Sequence, residues 1–193
     1  MEPVTDYYEW YQEFNVGIEL EVAYDASKRI YLKCFDEEDD LSIDTNVRGA
    51  QAQEFILKKE YIKYFKHKDE VDKEILDLLR ICYPNNGSCG THVHLSHPSV
   101  TMEEYPGFLR YLDEYWVANS QEKMRKKYPQ VRESSKFAVD NGGYDYDRES
   151  KYRQMNILPS LRSDDGLVHV EFRGYDGLPN PSDEEYDMSL IHI

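Results

Sequence analysis

The 193-residue chain is poor in cysteine, in basic residues and in long apolar runs. Its three cysteines, Cys34, Cys82 and Cys89, are odd in number and widely spaced, which argues against a disulfide framework and favours a reducing compartment. No apolar stretch approaches the roughly 20 residues of a membrane-spanning helix, and the acidic, aromatic first residues lack the features of a secretion signal. These shortages predict a cytoplasmic protein that does not enter a membrane.

The shortage of basic residues restricts the classes of partner. Lys and Arg number 23 against 38 Asp and Glu, so the formal net charge is −15. Such a charge opposes broad binding to nucleic acid or anionic lipid. It does not exclude a nucleotide whose phosphates are screened by divalent metal. The length suggests a single domain over residues 1–193, which can form a core without disulfides.

Hydrophobic periodicity predicts a mixed fold. The segment 30–35 is expected to form a hairpin with the preceding strand, and the acidic run 36–40 is expected to be a solvated loop. Helical spacing predicts a helix over 68–83, and the acidic residues after Thr101 predict a second helix that runs to about residue 127. The strand candidates are 15–24, 30–35, 50–58, 90–96, 152–161 and 167–173. This order predicts an α+β domain with a largely antiparallel sheet and helices packed on one face.

Three strand candidates each carry two charged or ligating side chains at alternate positions. The pairs are Glu19 with Glu21, His92 with His94, and Glu171 with Arg173. Residues two apart on a strand leave it on the same side, so each pair shares a face of the sheet. Glu54 adds a further acid on a fourth strand candidate.

Each pair alone also fits an ordinary structural role. The two glutamates could form a solvent-exposed acidic face, and the two histidines could lie at the surface or in the core. Glu171 and Arg173 could form a cross-strand salt bridge. Together, so many carboxylates on one sheet face would repel one another without counter-ions, and hard divalent cations relieve that repulsion. A metal cluster with an arginine beside it suits phosphoryl transfer. Cys89 before the two histidines argues little for zinc, because no second cysteine pair completes such a site.

Taken in order, these segments resemble the glutamine synthetase and γ-glutamylcysteine synthetase superfamily, most closely its small amidoligases. The family features are a G-x-E-x-E strand, a D-G-S-L turn, a strand with one Glu, a stretch around a metal-binding His, an R/K-Y-x-x-x-N segment and an E-x-R strand. The similar segments here are NVGIELEV (15–22), DLSI (40–43), AQEFILK (52–58), NGSCGTHVHLS (86–96), KYRQMNIL (151–158) and VEFR (170–173).

The resemblance implies a glutamine-synthetase-like curved sheet and an ATP- and Mg²⁺-dependent carboxylate–amine ligase, with Mn²⁺ as an alternative metal. ATP would phosphorylate a carboxylate substrate, and an amine acceptor, either a small molecule or a peptide, would attack the acyl phosphate. The implied metal ligands are Glu19, Glu21, Glu54, His92 and Glu171. The implied nucleotide or substrate contacts are His94, Ser96, Arg153 and Asn156. Arg173 would stabilise the transferring phosphoryl group, with Glu54 as a second catalytic residue.

The chain departs from the family pattern in three places. His169 replaces a small residue or Thr, the strand at 54–58 lacks the usual Ser-Pro, and few residues follow Arg173. The last departure fits either a minimal version of the family or a site completed by another subunit. Three other functions stay open. They are phosphate transfer to a guanidino or other nitrogen acceptor, non-catalytic binding of nucleotide or metal, and metal-dependent hydrolysis without ATP.

Overall fold

The computed structural model describes residues 12–28, 30–39, 49–83, 89–103, 107 and 155–176. Its strands are β1 (Asn15–Asp25), β2 (Phe35–Glu38), β3 (Ala50–Leu57), β4 (Gly90–Thr101), β5 (Met155–Asn156) and β6 (Leu167–Asp176). Its helices are α1 (Tyr64–Leu79) and the short α2 (Leu158–Arg162), with a 3-10 turn at Lys59–Tyr61. Neither helix of this described part is long and apolar enough to cross a membrane.

The six strands form one sheet in the order β2-β3-β1-β4-β6-β5. Every pairing among the described strands is antiparallel. The prediction of an α+β domain with a largely antiparallel sheet is therefore confirmed at this level. Strand β1 lies in the interior of the sheet, between β3 and β4, so its side chains can reach neighbours on both sides.

The core lies on one face of the sheet, beneath α1. Alternate residues of β1 are buried there, from Val16 to Val22, as the period of a strand requires. Helix α1 packs on them through the predicted apolar stripe, which includes Val71, Ile75 and Leu78. The helix begins at Tyr64, four residues earlier than predicted, because the Tyr64 ring is itself fully buried in the core.

The predicted hairpin between 15–24 and 30–35 is wrong. Strand β1 is flanked by β3 and β4, whereas β2 begins at Phe35 and pairs with β3 at the edge of the sheet. The acidic residues 36–38, which were expected in a loop, form that edge strand with their side chains exposed. Exposed charges are common on edge strands, because they discourage pairing with another chain.

Two further boundaries differ from the sequence prediction. Strand β4 continues past Ser96 to Thr101, so Thr101 ends a strand, and the helix predicted after it lies outside the described residues. Of the predicted strand 152–161, residues 152–154 lie outside the described residues, Met155–Asn156 form β5, and 158–162 form α2 instead of a strand. Pro159 in the first turn of α2 is compatible with a helix start but not with a central strand.

Candidate metal centre

The face of the sheet opposite the core carries the predicted site residues. Cross-strand pairing places Glu19 opposite His92, and Glu21 opposite Glu54. On the other side of β4, His94 lies opposite Glu171. Directly opposite residues share a face, so four strands deliver these six side chains to one area. The prediction that they share a sheet face is confirmed.

Glu19 lies at the centre of this group. Its Oε2 is 3.0 Å from Nδ1 of His92, and its Oε1 is 3.0 Å from Nε2 of His94. The second contact is close, but it lies outside hydrogen-bond geometry and is electrostatic. The two oxygens of one carboxylate thus face two different imidazoles.

These contacts change the proton affinities of both partners. Partial burial alone would raise the pKa of Glu19, but the contacts with His92 and His94 outweigh it and hold that pKa well below the ordinary value. Burial alone would lower the pKa of His94, but the contact with Glu19 and the charges of Glu19 and Glu171 raise it above the ordinary value. The metal-free cluster therefore favours an ionised Glu19 beside a protonated His94.

Gly17 allows the His94 ring to lie close to the sheet. A Cβ atom built at Gly17 would come 3.1 Å from Cβ of His94, which is tighter than ordinary side-chain contact. Gly17 pairs directly with His94 across β1 and β4. A larger residue in place of this glycine would crowd the histidine opposite it, and this role was missed from the sequence.

Glu171 is held by two neighbours. Its Oε2 accepts a hydrogen bond from Nδ2 of Asn156 at 2.5 Å, and its Oε1 accepts one from Nη1 of Arg173 at 2.5 Å. Nδ1 of His92 lies 3.8 Å from the same Oε1. Glu171 is only 5% exposed, and buried carboxylates need such partners. Asn156, expected as a substrate contact, therefore orients a carboxylate of the cluster.

Strand β6 has a β-bulge next to Arg173. Val93 pairs with Phe172, but Thr91 pairs with Tyr175, so β6 has one more residue than β4 between these pairs. The extra residue falls opposite His92. Bulges redirect side chains and are frequent next to functional sites. Sequence alternation alone carries no signal for this irregularity.

The donor atoms fit divalent cations. In two groups of three residues, one ligand atom of each residue lies within 4.8 Å of the other two. The first group is Glu19, Glu54 and His92, and the second is Glu19, His94 and Glu171. Carboxylate oxygens suit Mg²⁺ and Mn²⁺, and imidazole nitrogens suit Mn²⁺ and the later transition metals. Oε1 of Glu21 lies 3.7 Å from Nε2 of His92, at the border of the first group.

The remaining predicted residues lie around the cluster or outside the described chain. Ser96 is buried and accepts a hydrogen bond from Nδ2 of Asn15 at 3.2 Å, two cross-strand pairs beyond His94. His169 pairs with Ser96 across β4 and β6, and its Nε2 contacts Asp165 at 3.0 Å. Arg153 and the segment 40–43 are outside the described residues.

Comparison of the chain with protein-family models, with curated proteins and with solved structures gives no match. The resemblance to the amidoligases therefore stays a prediction from the sequence. The structure does bring ligating side chains together beside an arginine.

Proposed function

We propose that this protein is an ATP-dependent carboxylate–amine ligase of the amidoligase family, which uses Mg²⁺ or Mn²⁺ on a glutamine-synthetase-like sheet. One observation carries the proposal. Glutamates from three strands and two histidines from a fourth converge on one sheet face, with the Arg173 guanidinium bonded to the cluster. Such a site combines ligands for divalent metal with a fixed positive charge, which is what phosphoryl transfer requires.

The metals would be held by the carboxylates and imidazoles that face one another on the sheet. The proposed ligands are Glu19, Glu21, Glu54, His92 and Glu171. When bound, divalent metal neutralises phosphate charge and lets ATP approach an acidic surface. Asn156 and Arg173 each bond one oxygen of Glu171, so this carboxylate is oriented before any ligand arrives.

Arg173 is proposed to stabilise the phosphoryl group as it moves from ATP to the substrate carboxylate. Its bond to Glu171 through Nη1 fixes the guanidinium beside the cluster, and its side chain is 13% exposed. A planar guanidinium can bond one anion while its other N–H groups face a second. Binding of both substrates on the same sheet face would bring the amine close to the acyl phosphate.

Ser96 and the segment around Arg153 are proposed to line the nucleotide and substrate. Ser96 lies on the cluster face of β4, two residues beyond His94. Its bond from Asn15 connects it to β1. A buried hydroxyl at this place can contact a phosphate oxygen without adding charge.

A hydroxamate assay tests the proposal. The protein is incubated with ATP, Mn²⁺ or Mg²⁺, hydroxylamine and a panel of amino acids and dicarboxylates, and hydroxamate, ADP and phosphate are measured. We expect all three products with at least one acid, and none in EDTA. Phosphorylated acceptor without free phosphate would indicate a phosphotransferase instead, and metal-dependent ATP binding without turnover would indicate a non-catalytic binding protein.

The same assay tests the proposed role of Arg173. Arg173→Ala should lower kcat by about 100-fold or more, because a fixed donor to the transferring group is lost. Arg162→Ala is the matched control, since Arg162 is exposed on α2 and its loss should leave kcat unchanged. Full turnover in a folded Arg173→Ala protein would refute the assignment.

One observation favours a second candidate, a metal-dependent hydrolase. Both imidazoles face carboxylates of the candidate ligand groups, and nitrogen-containing metal sites are common in hydrolases. Hydrolysis of ester or amide substrates with Mn²⁺ or Zn²⁺ in the absence of ATP would favour this candidate over the ligase.

A further inference from the structure

We infer that His169, held by Asp165, binds the amine acceptor of the proposed ligase reaction. The inference deepens the proposed function and rests on it. Neither residue belongs to the two candidate ligand groups for metal. His169 is also the position at which this chain departs from the family pattern, where a small residue or Thr is usual.

His169 lies beside the place assigned to the transferring phosphoryl group. It precedes Glu171 by two residues on β6, so both side chains leave the sheet on the face opposite the core. Their partners on β4 are Ser96 and His94. Residues two apart on a strand are separated by about 7 Å along it. Because Glu171 bonds the guanidinium of Arg173, a ligand at His169 would lie next to the acyl phosphate.

Asp165 determines which nitrogen of the His169 ring carries the hydrogen. Its carboxylate accepts hydrogen bonds from Oγ of Ser163 at 2.6 Å and from the N–H of Leu167 at 2.9 Å. The bonds from Ser163, Leu167 and His169 lower the pKa of Asp165 to about 2, so at neutral pH this carboxylate can only accept. Nε2 of His169, 3.0 Å from Oδ2, is therefore the donor. In the neutral ring this leaves Nδ1 as an acceptor.

The ring is held in place while its Nδ1 stays available. Ser160 on α2 accepts a hydrogen bond from the N–H of His169 at 2.7 Å and donates one to its carbonyl oxygen. Within the described part of the chain, Nδ1 has no hydrogen-bond partner, and the side chain is 30% exposed. A histidine with one nitrogen bonded to a carboxylate presents the other nitrogen to a ligand in a defined orientation.

The polarity of this position distinguishes among the three proposed reactants. Phosphate and carboxylate oxygens carry no hydrogen, so ATP and the acid substrate would meet the lone pair of Nδ1 and the negative charge of Asp165. An amine instead presents N–H groups that can donate to Nδ1. A positive charge on the amine would also be attracted by Asp165. The position therefore suits the amine.

Nuclear magnetic resonance of the wild-type protein tests the inference without turnover. The ¹⁵N signals of His169, assigned by their loss in His169→Asn, are recorded at a constant pH of about 8, where an ordinary histidine is neutral. They should show hydrogen on Nε2 and none on Nδ1. Hydroxylamine or methylamine should move the Nδ1 signal, whereas inorganic phosphate should not. Hydrogen on Nδ1 instead of Nε2, no shift with either amine, or a shift with phosphate would overturn the inference.

The hydroxamate assay gives a second readout. His169→Leu should raise KM for hydroxylamine about tenfold and leave KM for ATP unchanged, because only the amine loses a hydrogen bond. His169→Asn keeps an acceptor near the position of Nδ1 and should restore much of the affinity. Unchanged KM for hydroxylamine in folded His169→Leu, or a raised KM for ATP, would contradict the assignment.

A matched pair of variants tests the role of Asp165. Asp165→Asn should raise KM for hydroxylamine, because an amide can donate to Nε2 and so move the ring hydrogen to Nδ1. Asp164→Asn makes the same change of charge at the exposed neighbouring position and should leave KM unchanged. Equal effects would rule out a specific role of Asp165. If the wild type forms no hydroxamate with any acid, the ligase proposal fails, whereas the resonance experiment still decides whether His169 binds amines.

Discussion

At the scale of single residues, Glu19 explains how an acidic cluster can exist in a folded chain without metal. A carboxylate among other carboxylates tends to take up a proton. Here His92 and His94 approach its two oxygens and keep it ionised. Protonation of His94 is favoured by its raised pKa and supplies positive charge beside Glu19, so metal binding there should release a proton.

The raised pKa of His94 predicts how the metal-free protein responds to pH. A group whose pKa is raised by folding stabilises the native state below its unfolded pKa, and this contribution is lost as pH rises through the folded pKa. We therefore expect the free energy of unfolding in EDTA to fall over the range above the ordinary histidine pKa of 6.5, with a smaller fall in His94→Gln. Urea denaturation measures both. A wild-type stability that stays constant or rises over this range would contradict the expectation.

Gly17→Ala tests the packing of the His94 ring. The backbone of Gly17 does not have a positive φ, so alanine itself introduces no backbone strain and would stabilise an open position by about 0.4–1 kcal/mol. The close approach to Cβ of His94 should reverse that sign, with a loss of about 1–3 kcal/mol. Mn²⁺ affinity should fall as well, since the ring is displaced. Stability in urea equal to or higher than that of the wild type would show that the close approach to Cβ of His94 does not destabilise the variant.

At the scale of elements, the strands that were predicted well are those with one apolar face and one polar face. Apolar residues alternate with acids or histidines in β1 and β4, so one face is buried whatever the partners are. Strand β2 could not be found this way, because Phe35 is its only buried residue and three acids follow it. Its existence depends on pairing with β3, which is a tertiary contact.

Helix α1 also determines the path of the chain before β2. The Glu74 carboxylate accepts hydrogen bonds from the backbone N–H groups of Lys33 and Cys34, both at 2.8 Å. This attachment holds the segment against the helix rather than against β1. Because the bonds join residues about forty positions apart, no local pattern predicts them.

Glu74→Ala should therefore destabilise the protein by about 1–3 kcal/mol, since the buried N–H of Cys34 loses its acceptor. Asp77→Ala is the matched control on the same helix. Asp77 pairs with Arg80 at the surface, and losing that pair should change the free energy of unfolding by less than about 1 kcal/mol. Urea midpoints compare the two variants, and equal losses would argue against the attachment.

At the scale of the whole molecule, the net charge of −15 divides into two populations. Residues 36–38 lie exposed on the edge strand, where they favour solubility. Glu171, by contrast, is buried and tied to other side chains. Alternation in the sequence predicted which acids share the sheet face opposite the core. It could not predict that Glu19 lies between two imidazoles, because that depends on the register of β1 against β4.

The ligand groups also link metal binding to the order of folding. Glu19 and His92 are 73 positions apart in the sequence, and Glu171 joins them only through β6. Contacts of such long range form late in folding, after the chain has closed large loops. No single hairpin contains a complete ligand group. High metal affinity should therefore appear only once the strands of the sheet have paired. Each bound ion should then slow unfolding more than it speeds folding.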